Sequence, residues 1–329
     1  MKTPETLYPL KFKPIYKRKI WGGSKICSYF GRPPQGDRIG ESWELCCRED
    51  GMSVVENGAL HGAPLQEIID VYREQLVGTE IYDKYGNKFP LFIKYIDAND
   101  KLSVQVHPDD AYAAQFGESG KDEMWYIIHT HGNAKLVNGL KCTSKIEFID
   151  AVKNGRVSQL LNTVTVKAGD FVFIPGGTVH AIFGGLLIAE IQQNSNTTYR
   201  IYDWGRLDET GKPRELHLDR ALEAIRWDRP VTRPADFSQI HRFEAGTLRF
   251  GPQIKEFQVN ELSVDGSLAR TVSCKGFEVV LNIAGYGEIR YADGVVDLTP
   301  GDVVLLPASL GRYSLNGCMK MLITQPTAV

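Results

Sequence analysis

The sequence predicts a mainly β chain: small barrels or sandwiches of short strands, with a few peripheral helices. Two observations carry that reading. Short runs rich in Val, Ile, Leu and Phe are bounded by Gly, Pro and Asn, as strands are. Segments with helical spacing of apolar residues are few. In chain order the strand candidates are "KFPLFIKYIDA" (88–98), "MWYIIHTHGNAKLV" (124–137), "GDFVFIPGG" (169–177), "LLIAEIQQN" (186–194), "FEVVLNIAGYGEIRYA" (277–292) and "GDVVLLPAS" (301–309). The helix candidates are "PLQEIIDVYREQL" (64–76), "SKIEFIDAVKNG" (144–155) and "LDRALEAIR" (218–226). Ser144 followed by Glu147 is a capping-box pattern, which predicts where the second of these helices starts. Many short strands with few helices fit a barrel or sandwich.

The bulk numbers narrow the function. A chain of 329 residues with 43% hydrophobic content can bury a sizeable core, and its length suggests two domains. A net charge of −2 without a basic run argues against a nucleic-acid partner. No apolar segment approaches the roughly 18 residues of a membrane span. The N-terminus lacks the apolar stretch of a secretory signal, so a cytoplasmic protein without a membrane partner is expected. The six cysteines form no CxxC pair and read as reduced structural thiols. A metal in this chain therefore needs histidine and carboxylate ligands. The oligomeric state is not legible.

An internal repeat organises the chain. "VKAGDFVFIPGGTVHAI" (166–182) is similar to "LTPGDVVLLPASLGRYSL" (298–315), with a Gly-Asp turn, four apolar residues and a proline in each. Between the copies, "WDRPVTRPADFSQ" (227–239) is rich in proline and charge and reads as a linker. The Gly-Asp, four apolar, Pro-Gly pattern with His180 five residues beyond Pro175 resembles the second motif of the cupin fold. The resemblance implies two cupin-type jelly-roll barrels. The domain boundaries expected are 1–230, with a small helical insertion at about 140–162, and a cupin-like 231–329. In the second copy Arg312 stands five residues after Pro307, where the first has His180. Arginine is not a metal ligand, so the C-terminal barrel is expected to hold no metal.

"KLSVQVHPDDAY" (101–112) is the segment that points to chemistry. Ser103, Gln105 and His107 alternate at period two and share one strand face, with Val104 and Val106 on the other. Pro108 then ends the pairing, since it has no amide donor. Lys121 and Glu123 in "GKDEMWYI" share a face by the same alternation. His129 and His131 form a competing HxH pair, but they lie at a strand end beside a turn and are read as structural. Taken singly, each of these histidines is as well explained by hydrogen bonding or exposure as by a metal.

Taken together, the motifs are specific. "LSVQVHPDD", "GKDEMWYI", "PGGTVHAI" and "EIQQNSNTTYRIYDWGR" resemble, in this order, the short bacterial form of the type I mannose-6-phosphate isomerase family. The resemblance begins at "KRKIWGG" (17–23), passes "IGESWEL" (39–45) and covers nearly the whole chain. It implies an aldose–ketose isomerase that interconverts mannose 6-phosphate and fructose 6-phosphate through an enediol. It also implies one Zn2+ per chain, held by Gln105, His107, Glu123 and His180. Arg200 falls on the family's catalytic arginine, and a planar, permanently charged guanidinium suits an enediolate or a phosphate. Its structural alternative is an ion pair with Asp203. Glu190 falls on a family acid and is the first choice as proton carrier. Lys121 is its rival, and with Ser103 and Arg200 a candidate for holding the sugar phosphate. Trp21 and Trp43 either wall the pocket or pack in the core. Two other functions compete. A silent sugar-binding cupin or regulator would lose some of these residues, and none is lost. An iron-dependent dioxygenase of the cupin type would favour three histidines, and this set has two.

Overall fold

The computed structural model describes residues 6–228 and 239–328. Residues 229–238 of the expected linker lie outside them. By internal contacts the chain divides into two compact units, each discontinuous in sequence. One comprises Tyr16–Ser42 and Lys94–Ala235, the other Met1–Ile15, Trp43–Ile93 and Asp236–Val329.

In the first unit, a five-stranded antiparallel sheet orders Leu161–Thr165, Lys135–Leu140, His180–Ile182, Val104–Val106 and Tyr199–Tyr202. A six-stranded sheet contains Phe171–Ile174, Glu123–Thr130 and Leu186–Gln193, followed by Leu91–Ala98, Ile39–Leu45 and Ile15–Gly23, of which this unit includes residues 94–98, 39–42 and 16–23. Alternation decides what each face buries. Leu136 and Ile182 of the first sheet join Ile96, Trp125, Ile127, Val172 and Ile188 of the second in one cluster, so these two faces pack on each other. The opposite face of the five-stranded sheet carries Val104, Val106, Val137, Ala181 and Ile201. It packs against Phe148 of the helix Lys145–Lys153 and Ala221 and Ala224 of the helix Leu218–Ala224. The capping box forms in part: Ser144 Oγ accepts from the Glu147 amide at 3.3 Å.

The second unit is built on an eight-stranded sheet. Its long strands Phe257–Thr271 and Arg312–Pro326 pair without a slip from Phe257↔Pro326 to Thr271↔Arg312, and Glu278–Tyr291 pairs on the other side of Arg312–Pro326. The edge strand Leu10–Lys11 pairs with Val303–Leu306, Leu10 opposite Leu305. The expected helix 64–76 is two helices, Leu65–Tyr72 and Glu74–Val77, separated by Arg73 at φ 46°. Buried positions 65, 68, 69, 72, 76 and 77 keep helical spacing through the break, so periodicity could not reveal it.

The mainly β prediction holds. The two barrels do not stand as closed rings of hydrogen bonds, because each sheet is an open path with edges. A jelly roll of two sheets closes by side-chain packing, which leaves such edges in place. The sequence repeat has a structural counterpart: Glu123 lies opposite Ile174 and Glu278 opposite Leu306, each pairing followed at once by Pro175 or Pro307.

Candidate active site

Register, rather than sequence proximity, assembles the site. Gln105 on Val104–Val106 has His180 directly opposite on one neighbouring strand and Arg200 directly opposite on the other. Directly opposed residues point to the same face, so one transverse row carries His180, Gln105 and Arg200. Gly177 N donates to the His107 carbonyl at 2.7 Å, which ties the end of this segment to the Pro-Gly-Gly turn ahead of His180. The facing sheet supplies Glu123 at the start of its strand, and Trp125 two residues on has Glu190 directly opposite.

His107, Glu123 and His180 converge, with one ligand atom of each within 4.8 Å of the others, and all three are buried. His107 Nε2 is 3.1 Å from Glu123 Oε1, and His180 Nε2 is 3.9 Å from Glu123 Oε2. Both imidazoles are oriented in the same way. His107 Nδ1 meets the Thr197 carbonyl at 2.8 Å and His180 Nδ1 the Thr178 carbonyl at 2.9 Å. A carbonyl only accepts, so each Nδ1 carries the proton and each Nε2 presents a lone pair to the centre. Burial holds both rings neutral: it pushes His107 down to about 3, with Lys121 adding to the effect, and it lowers His180 as well. Burial works to raise the Glu123 carboxyl, but the Lys121 ammonium, 2.7 Å away, together with His107 and His180 outweighs it, and the group stands well below the carboxylate range.

Two neutral imidazoles with unprotonated Nε2 atoms and one carboxylate fit the borderline character of zinc. Gln105 lies beside the group. Its amide bridges Ser103 Oγ, 3.2 Å from Oε1, and His180 Nε2, 3.2 Å from Nε2. A half-turn of the amide exchanges its ends, which turns Oε1 toward the centre and lets the NH2 donate to Ser103. Lys121 Nζ, 3.1 Å from His107 Nε2, shares the same atoms.

Around this group lies a cavity of about 240 Å3. Its wall includes Lys19, Lys94, Lys121, Arg200 and Arg214 against Glu41, Glu123 and Glu190, so cations outnumber carboxylates and an anionic substrate is favoured. Glu190 is buried, with Oε2 2.6 Å from Lys94 Nζ and Oε1 accepting from Trp125 Nε1 at 2.8 Å. Burial lowers Lys94 to about 8. Arg200 is not the partner of Asp203: that carboxylate is held by Arg206 at 2.7 Å and by Arg214 at 2.8 Å. Arg200 instead donates to the Glu215 carbonyl at 2.7 Å and lines the cavity.

The candidates divide clearly. Ser103, Gln105, Lys121, Glu123, His180, Glu190 and Arg200 all line the cavity, and His107 joins them through Glu123. Trp21 forms part of the wall, whereas Trp43 packs edge-on against Phe92 at 4.8 Å in a separate cluster. His129 sits beside Tyr29, 5.8 Å between ring centres. Lys94 escaped the sequence reading because "LFIKYIDA" reads as a core strand. Its signal was a lysine inside an apolar run, which must find a partner when buried. Among the described residues no helix is long and apolar enough to cross a membrane.

Comparison with known proteins agrees with this geometry. The sequence matches the family description "Phosphomannose isomerase type I, catalytic domain" over residues 9–122, and "Mannose-6-phosphate isomerase, cupin domain" over residues 248–326. It is 38% identical to the mannose-6-phosphate isomerase ManA of Bacillus subtilis, over 97% of this chain and 99% of that one. It is 34% identical to the mannose-6-phosphate isomerase of Streptococcus mutans, over 95% and 97% of the two chains. The crystal structure of the mannose 6-phosphate isomerase from Bacillus subtilis superposes with a TM-score of 0.89 at 33% identity, covering 96% of this chain and 99% of that one.

Proposed function

The chain belongs to the type I mannose-6-phosphate isomerases, and from that premise we propose how its residues divide the work. Gln105, His107, Glu123 and His180 hold one zinc ion. When bound, zinc supplies a positive charge that polarises the sugar oxygens at C1 and C2. The reaction moves a proton between C2 and C1 through an enediol, converting mannose 6-phosphate to fructose 6-phosphate.

Glu190 carries that proton. Lys94 beside Oε2 balances its charge, and the Trp125 indole fixes Oε1, so the carboxylate is held in one orientation. Arg200, freed from Asp203, faces the negative charge that develops on the substrate oxygens. Lys121 and Ser103 meet the phosphate, with Lys121 the rival of Glu190 for proton transfer. We read both units as cupin-type jelly rolls with metal in the first alone, and the chain as cytoplasmic.

The observation that carries this reading is the pair of imidazoles turned by backbone carbonyls so that both Nε2 atoms face Glu123. The test is a coupled assay of fructose 6-phosphate formation from mannose 6-phosphate, before and after prolonged dialysis against a strong chelator. Turnover should vanish and return with zinc. Full turnover in a verified metal-free sample would refute the metal requirement.

A further inference from the structure

The geometry points to Gln192 as a positioning residue for His107. The two imidazoles are steadied by carbonyls of different origin. His180 uses Thr178, two residues before it in the same turn, so its support is local. His107 uses Thr197, ninety positions along the chain. Thr197 lies in the loop 194–198 between the strands Leu186–Gln193 and Tyr199–Tyr202, so the orientation of His107 depends on what fixes that loop.

Gln192 fixes it from inside. Its side chain is fully buried, and Nε2 donates to the Ser195 carbonyl at 2.6 Å and to the Gln193 carbonyl at 2.9 Å. Ser195 N donates to the Gln193 carbonyl at 2.7 Å, which closes the same turn. Ser195 Oγ then accepts from Thr197 N at 3.4 Å, one peptide from the carbonyl that His107 uses. On the exposed side Thr197 Oγ1 donates to Glu118 at 2.8 Å. A buried amide is costly unless it is hydrogen-bonded, and a leucine would fill the space. What the amide adds is a pair of donors aimed at the carbonyls of Gln193, at the strand end, and of Ser195 in the loop. Gln192 lies directly opposite Glu123 across the strand pair, so the brace and the carboxylate move as one piece of sheet.

This inference rests on His107 being a zinc ligand, and the test separates the two. Full-length protein labelled with 15N-histidine is compared with Gln192→Leu, and with Gln192→Met should the leucine variant not fold. Solvent exchange of the two ring Nδ1 protons is read by NMR after chelator treatment, and zinc affinity is read separately by competition with a chromophoric chelator. In the variant the His107 proton should exchange at least about tenfold faster while that of His180 is unchanged, and zinc affinity should fall about tenfold, as loss of outer support for a ligand does. An unchanged His107 proton would overturn the proposal. So would equal acceleration at both rings, which means general loosening, or undiminished zinc affinity in a chain that binds zinc. A wild-type chain that binds no zinc would remove the ligand reading alone, and the ring protons would still report on the brace.

Discussion

Glu123 and Glu278 stand at matching points of the internal repeat, each buried and each opposite the last apolar residue before a proline. Their surroundings have parted. Glu278 accepts from Tyr313 Oη at 2.7 Å and from Gln325 Nε2 at 2.5 Å, and Arg270 Nη2 lies 3.3 Å away. Arg270 Nε also donates to Tyr313 Oη at 2.7 Å. Burial works to lower the Arg270 guanidinium, but Tyr313 and Glu278 outweigh it and the group is raised, so it stays charged. Arg312, aligned with His180, is exposed. Both carboxylates need a compensating charge. One receives it from a fixed guanidinium that has donors and no acceptor. The other has the Lys121 ammonium at 2.7 Å and also faces two lone-pair nitrogens, a set that can take a cation from outside. The same strand pairing thus gives a closed ionic network in one unit and an open ligand group in the other.

The comparison breaks first at the metal. His107→Ala combined with His180→Ala should take zinc from about one ion per chain toward zero by elemental analysis, with turnover reduced by roughly 10^3-fold or more. Metal retained by that double variant would place the ion elsewhere, the Glu278 network included. Next in size is Arg200. Arg200→Ala should lower kcat by roughly 10^2- to 10^3-fold, the scale of one lost electrostatic contact in a transition state, while zinc content and melting temperature hold. Arg200→Lys should restore little, because an ammonium cannot reproduce the planar fork.

On the closed side the effect should fall on stability alone. Glu278→Gln leaves the Arg270 charge without its partner and should cost about 3 kcal/mol. Urea denaturation checks this, and turnover of the folded fraction should be unchanged. A stability change under 1 kcal/mol would mean that the network is solvated after all. The smallest effect concerns titration, which separates Lys94 from Arg270. In the unfolded chain Lys94 keeps its proton to about 10.4, whereas in the folded chain burial brings the group to about 8. Between those pH values the unfolded chain holds more protons, so this contribution to stability rises with pH and is lost as pH falls through about 8. The melting temperature of the wild type should therefore gain on that of Lys94→Met between pH 8 and 10, and a constant difference would show an ordinary lysine.

Much of the site was legible because its residues sit in short motifs with alternating spacing. Gln105, Glu123, His180, Glu190 and Arg200 were all singled out in advance. Pairing was not legible. Nothing in the sequence states that His180 and Arg200 flank Gln105, since strand register is set by packing over the whole sheet. The same gap hid Lys94, and it left Trp21 and Trp43 undivided. In the fold, composition and turn residues gave the strands. The break at Arg73 stayed hidden because the apolar period runs through it.

The pairing of Leu10 with Leu305 has a consequence for how the chain comes to exist. The edge strand Leu10–Lys11 finds its partner only after nearly three hundred further residues have been joined. At about 5–20 residues per second, a ribosome takes roughly 15–60 s to cover that distance. Throughout that interval the Leu10–Lys11 segment must stay unpaired or be sheltered, while Tyr16–Ser42 and Lys94–Ala235 already hold the sequence of the other unit. Contacts of such long range slow folding. The unit that carries the candidate chemistry can therefore mature first during synthesis, and the one with Glu278 must wait for the strands Val303–Leu306 and Arg312–Pro326 to emerge.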